Sequence, residues 1–294
     1  MASSLRVLSR RGAPLVPWAR LQPLRTFSAE PPSLWLRMGG EEVIRPLCND
    51  LYDLHASDPL TAPWFGPDKE GNIRKSAEAV KENVFTFFSS GIGGPHTYEG
   101  RDMQAAHKHM KLANHAVLAI KYHVIQTMEK HSAGGAAERE EVLSILNSLT
   151  DDVMSGGGAT YAPAEGSTLY ERMGGEAVIR PMCSDLYDLH ASDPLTAPWF
   201  GSDKPKNIRT AEEVKENVFT FFSSGIGGPH EYKGRDMKAA HAHMTLPDCQ
   251  VLAIMYHVMA TMEKHGAGMA EREEVLAILE SLVPDVQSGS AASS

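Results

Sequence analysis

Two histidines, His107 and His241, stand where chemistry can be done. Each closes the same segment, Tyr98-Glu-Gly-Arg-Asp-Met-Gln-Ala-Ala-His107 and Tyr232-Lys-Gly-Arg-Asp-Met-Lys-Ala-Ala-His241. Met103, Ala106, His107 and Met110 fall at helical spacing, which puts the imidazole on an apolar stripe. His109, two residues on, faces away from that stripe. An imidazole so placed either packs in a core or ligates a metal. A protein-only zinc site is not supported: the chain has no HExxH, no paired cysteines and no acidic cluster at ligand spacing. One inward histidine is still enough for a metal whose equatorial ligands come from a macrocycle, as in haem ligation by a single proximal histidine. Core packing and ligation both remain open on these residues alone.

The elements that must position these histidines occur twice. Residues 38–66 and 173–201 overlay without gaps and differ only at Glu42/Ala177, Leu47/Met182 and Asn49/Ser184. One residue is lost before Val214 relative to Val80, and the match then resumes. Each unit is about 120 residues, too long for a solenoid repeat and right for a small domain. The boundaries read as 33–154 and 167–287, joined by a Gly/Ala/Ser-rich flexible linker at 155–166, with a frayed Ser/Ala/Gly tail at 288–294. Within each unit the period is helical throughout, giving an all-α class of about six helices per unit, several of them short. Val43, Leu47, Leu51 and Leu54 line one helix, bounded by Gly39-Gly40 and Asp58-Pro59. Val80, Val84, Phe87 and Phe88 line the next, stopped by Gly91, Gly93, Gly94 and Pro95. Leu118, Tyr122 and Ile125 mark a later helix, and Val142, Ile145, Leu146 and Leu149 the last. All thirteen histidines lie in the two units, six pairs of them equivalent. His123 and His257 read as plain core or surface residues.

Composition excludes several classes. The net charge of -9 argues against nucleic acid as a partner, because phosphate neutralisation needs a clustered basic face. No apolar run reaches membrane-spanning length, so no membrane partner is expected. Three cysteines, two of them equivalent, cannot build a disulfide framework. Residues 1–29 differ from the rest, with Arg6, Arg10, Arg11, Arg20 and Arg25, several serines and no acid before Glu30. That composition predicts an organelle transit peptide. Arg25-Thr-Phe-Ser28 points to the mitochondrion; a chloroplast address, or a plain basic tail on a cytoplasmic protein, is the alternative.

Four motifs in combination carry a resemblance. They are Leu-Tyr-Glu-Arg-Met-Gly-Gly (169–175), Asp-Leu-Tyr-Asp (50–53, 185–188), Phe-Phe-Ser-Ser-Gly-Ile-Gly-Gly-Pro (87–95, 221–229) and Tyr-x-Gly-Arg-Asp-Met-x-x-Ala-His (98–107, 232–241). Both units resemble group I truncated haemoglobins. The resemblance implies two tandem truncated-globin domains, each a two-over-two helical sandwich around one haem b, two per chain. It implies His107 and His241 as proximal iron ligands, and Tyr52 and Tyr187 as distal tyrosines. Counting back from Gly93-Gly94-Pro95 turns Val80, Val84 and Phe88 toward the haem, and Val214, Val218 and Phe222 in the second unit. Many members place a glutamine on this helix; here valines stand there, with Asn83 and Asn217 nearby. Lys81 and Lys215 reach the haem only in a different register. Arg101, Lys108 and Arg235 are candidate propionate partners. The function so implied is reversible binding of dioxygen and other diatomic gases such as nitric oxide, with nitric oxide detoxification in the oxygenated form as a further reaction. Turnover would call on an external reductase, since the chain carries no flavin or nicotinamide domain, so assignment as an enzyme stays open. A gas or redox sensor and a haem-free helical interaction module are the alternatives. A flexible linker would give the two sites no route for coupling.

Overall fold

The computed structural model describes residues 31–65, 75–159, 161, 166–200 and 209–291. The segment read as a transit peptide lies outside the described residues. The first half carries α1 (Leu34–Arg37), α2 (Glu41–Ser57), α3 (Ala77–Gly91), α4 (Met103–His107), α5 (Asn114–Lys130), α6 (Ala136–Ser148) and α7 (Thr150–Val153). The second repeats them as α8 (Leu169–Arg172), α9 (Glu176–Ser192), α10 (Ala211–Gly225), α11 (Met237–His241), α12 (Asp248–Lys264), α13 (Met269–Val286) and α14 (Ser288–Ala291). The described residues contain no strand, and none of their helices is long and apolar enough to cross a membrane.

The local reasons are visible in the sequence. Gly39 and Gly40 take φ of +96° and +66°, which a side chain resists, and Glu41 and Glu42 then open α2 at the positive end of its dipole. Along α2, Ile44, Leu47, Cys48, Leu51, Tyr52 and His55 are buried, one continuous helical face. In each half the second and third helices form one layer over the fifth and sixth, so α2 packs on α3 and α5, and α9 on α10 and α12. This is the two-over-two sandwich. Ser76 and Thr210 cap α3 and α10 through their side chains, and Asp102 and Asp236 cap α4 and α11. The glycine turn after α3 serves a close approach. A Cβ on Gly94 would stand 2.7 Å from the Trp35 ring and against Ser89 Oγ.

Two boundary expectations need correction. The linker does not begin freely at residue 155. Its first residues lie on the first domain: Ala159 N–H donates to Leu112 O at 3.1 Å, and Tyr161 packs on the cluster of Trp64, Leu112 and Val117. The tail likewise continues as α14 to Ala291, against α11.

The domains are also not independent. One buried apolar cluster runs from Leu34 through Leu276 across both halves. The contact is between α5–α6 and α12–α13, and it uses each element twice. Tyr122 and Tyr256 stack at its centre, ring centroids 3.9 Å apart and planes within 14°. Each hydroxyl donates across the interface, Tyr122 to Asp193 Oδ2 at 2.6 Å and Tyr256 to Asp58 Oδ2 at 2.8 Å. Glu273 accepts from the His115 backbone N–H at 2.9 Å at the start of α5, and its equivalent Glu140 accepts from the Cys249 N–H at 3.0 Å at the start of α12.

Gly94→Ala is therefore expected to destabilise the fold by roughly 1–3 kcal/mol through overpacking. Gly91→Ala, with nothing within 4 Å of its added methyl, should be neutral or slightly stabilising. Urea melts of the two variants check the contrast.

Candidate cofactor site

The helix carrying His107 is five residues long and has no buried residue, although its stripe is apolar. Met103, Ala106, His107 and Met110 instead border a cavity of about 1060 Å³. Opposite them stand Val80, Val84 and Phe87 from α3, with Trp64 and Phe65, and Val117, Ile120, Leu146 and Leu149 complete an apolar wall. Lys75, Arg101, Lys108 and Lys121 are the cations on its lining. The space is larger and more apolar than water would fill, and it fits a bulky, flat apolar group bearing acidic substituents.

The imidazole is prepared for ligation. His107 Nδ1 lies 2.8 Å from Met103 O, so Nδ1–H donates to the carbonyl and Nε2 keeps its lone pair. Burial, ahead of the opposing pull of that carbonyl, lowers its pKa below the ordinary histidine value, which keeps the ring neutral. His241 makes the same bond to Met237 O, also at 2.8 Å. Among the described residues no cluster of three or more His, Cys, Asp or Glu is arranged to hold a metal ion. A metal at His107 would therefore take one protein ligand and the rest from a cofactor. The residues present fit a haem.

Tyr52 is buried on α2, edge-on to Phe65 with ring centroids 6.3 Å apart. Its hydroxyl has no partner among the described residues and is not sealed from solvent. Tyr187 repeats this against Phe200 at 6.0 Å. Lys81 is fixed beside Tyr52, its Nζ 2.7 Å from Asp53 Oδ1 and 5.3 Å from the Tyr52 ring centroid. Lys215 is held in the same way by Asp188 at 2.7 Å. These lysines are thus committed to carboxylates, and Val80 and Val84 hold the cavity-facing register. Asn83 lines the cavity as well, whereas the Asn217 amide donates to Glu213 O at 2.7 Å.

Phe88 and Phe222 require correction. Both are buried in the common core, and Phe87 lines the cavity in place of Phe88. The cause is the angle of α3: residues 80, 84 and 87 share its inner face, and residue 88 turns another 100° toward α2. Phe87 is held edge-on to Tyr98 at 5.1 Å, a pair repeated by Phe221 and Tyr232 at 5.1 Å.

Several cavity residues escaped the sequence reading, His55 among them. His55, one turn after Tyr52 on α2, lines the cavity. Its Nδ1 lies 2.8 Å from Nδ1 of His123, whose Nε2 lies 2.8 Å from Asp58 Oδ2. His190, His257 and Asp193 repeat the chain at 2.8 and 2.9 Å. The available signal was the three-residue step from Tyr52, which puts both side chains on one face. His123 and His257 are accordingly members of a buried polar chain and not plain packing residues.

The comparisons with known proteins agree with this architecture. The family model described as bacterial-like globin matches residues 33–155 and again 168–288. A group 1 truncated hemoglobin of Nostoc sp. (strain MUN 8820) is 30% identical over 111 residues, 37% of this chain and 88% of its own length. One of Tetrahymena pyriformis is 28% identical over 113 residues, 38% of this chain and 88% of its own. One of Chlamydomonas moewusii is 24% identical over 121 residues, 40% of this chain and 67% of its own. The fold is an all-α tandem truncated globin. The chain belongs to the bacterial-like globin family.

Burial, followed by the neighbouring ring, lowers the His55 pKa well below normal and that of His190 to about 3. Both folded values lie under the unfolded value near 6.5, so the unfolded chain binds the extra protons. The histidines leave stability untouched above about pH 6.5 and erode it as pH falls toward the folded values, by up to about 1.4 kcal/mol per pH unit each. Urea midpoints should therefore drop between pH 7 and 5, and His190→Asn should flatten that slope relative to the parent protein.

Proposed function

We propose that each domain binds one haem b and that the protein reversibly binds dioxygen and other diatomic gases there. The observation that supports this most is the His107 ring, held by its Nδ1 bond to Met103 O on a short helix that borders a large, mainly apolar cavity. Haem, when bound, would supply an iron centre able to bind a diatomic gas. The chain's own residues do the rest. His107 and His241 would each hold the iron through Nε2, the ring nitrogen left free by the Nδ1 bond to a backbone carbonyl. Tyr52 and Tyr187 hold an unpartnered hydroxyl able to donate to a ligand carrying partial negative charge. Val80 and Val84 keep water out without adding a second donor. Arg101 and Lys108 stand on the cavity lining where acidic substituents of a cofactor would need cations.

Detoxification of nitric oxide is a further reaction this site could host, and it would draw electrons from an external reductase. The arginine-rich, acid-free composition of residues 1–29 supports delivery to the mitochondrion.

Purified chain reconstituted with haem should show a Soret band, halved in His107→Ala or His241→Ala and lost in the double variant. No band in the parent chain would leave only a haem-free role. Tyr52→Phe, measured in the His241→Ala background, should raise the oxygen off-rate roughly ten- to a hundred-fold, the worth of one hydrogen bond to a charged group. An unchanged rate would remove Tyr52 from the pocket's chemistry.

A further inference from the structure

The buried chain that reaches the first domain's cavity begins in the opposite domain. Asp58 accepts three hydrogen bonds: from the Leu60 N–H at 2.8 Å, from His123 Nε2 at 2.8 Å, and from the Tyr256 hydroxyl at 2.8 Å. The last donor belongs to the second domain. Donor and acceptor roles then follow by elimination. An ionised carboxylate only accepts, so His123 carries its proton on Nε2. While His123 carries only the Nε2 proton its Nδ1 accepts, so His55 donates to it from its own Nδ1. His55 Nε2 is left with a lone pair and has no partner among the described residues. His55 lines the cavity, one turn from Tyr52. The second domain repeats every step, from Tyr122 through Asp193 and His257 to His190.

We infer that His55 and His190 are gas-site residues whose proton placement is set from the other domain, so that the two sites are coupled through Tyr256–Asp58 and Tyr122–Asp193. Asp58, His123 and Tyr256 are positioning residues, since they act through His55. The coupling element has two states. With Asp58 fully donated to, His55 offers the cavity an acceptor, complementary to the Tyr52 hydroxyl. If the tyrosine withdraws, Asp58 has one donor fewer and draws harder on His123, which favours the imidazolium: with a proton taken up from solvent, His123 donates from both ring nitrogens, His55 accepts at Nδ1, and its own proton then sits on Nε2 toward the cavity. Tyr122 and Tyr256 are stacked face to face, so neither can move without disturbing the other. A change in one pocket therefore reaches the other by displacement of a hydrogen-bonded ring, a physical route between distinct sites.

This inference rests on the haem reading for its functional half, and its test separates the two. The full-length chain is used throughout. Ring nitrogen NMR of the haem-free protein, with His55 assigned from His55→Gln, reads the tautomer directly. Oxygen dissociation is timed in His241→Ala reconstituted with haem, which confines haem to the first domain. There Tyr256→Phe is expected to shift His55 away from the Nδ1–H tautomer and to change the off-rate by roughly two- to ten-fold. Tyr122→Phe removes a hydroxyl from the other face of the stack that bonds Asp193 and not Asp58, so it should move both readouts much less than Tyr256→Phe. Circular dichroism confirms that both variants fold. No effect of Tyr256→Phe, or equal effects of the two, overturns the coupling. Absence of a Soret band in the parent would sink the haem reading, and the tautomer comparison would still decide this one.

Discussion

The structure turns on two carboxylates that are largely out of water. The Asp58 side chain is 11% exposed and that of Asp193 7%. Taking an ionised carboxylate out of water costs several kcal/mol unless donors replace its hydration. Burial alone would raise the pKa of each, yet both are lowered, because histidine, tyrosine and backbone donors together outweigh it. Asp58 sits where α2 stops before Pro59, so the end of a helix, the turn after it, a histidine of α5 and a tyrosine of the other domain meet on one side chain. The donors must all be present at once. That requirement ties the end of α2 to the crossing of α5 and α12, and ties one domain to the other.

The cavity follows from the opposite kind of arrangement, a deficit of packing. Most apolar stripes in the chain are covered by a neighbouring helix. The stripe on α4 is not, since Met103, Ala106, His107 and Met110 remain partly exposed around an apolar space. A five-residue helix held by an Asp102 cap, with Tyr98 bonded to Arg101 O at 2.9 Å just before it, cannot collapse inward to close that space.

How much of this could be read from the sequence depended on the range of each interaction. Helices declared themselves by period, the turn after α3 by Gly93 and Gly94, and the setting of His107 by its neighbours within one turn. Phe87 and Phe88 were harder, because a rotation of one residue decides which faces the cavity, and adjacent phenylalanines are equivalent in composition. The His55–His123 pair joins residues 68 apart on different helices, and neither residue has a local cue to the other. Tyr122 shows a different limit. Its place on the stripe with Leu118 and Ile125 gave burial correctly. A periodic stripe says that a side chain is covered, but not whether its own domain or the next one covers it. A flexible linker in the sequence therefore left open whether the two domains pack on each other.

The interface also explains where the two copies can differ. A contact used twice must suit both halves, so Tyr122 and Tyr256, Asp58 and Asp193, and the four histidines between them are the same in each. Leu47 and Met182 differ, but both are fully buried and nearly equal in volume, a swap that cores accept at low cost. Among the substitutions within the contact is His115 for Cys249. His115 Nδ1 lies 2.5 Å from Glu273 Oε1, while Cys249 meets the equivalent Glu140 through its backbone N–H. Burial, with Glu140 beside it, pushes the Cys249 thiol above its usual range, so it stays neutral and adds no charge there. One end of the dyad thus carries an imidazole–carboxylate pair and the other does not. The two domains share a central hydrogen-bond chain but rest on unequal supports.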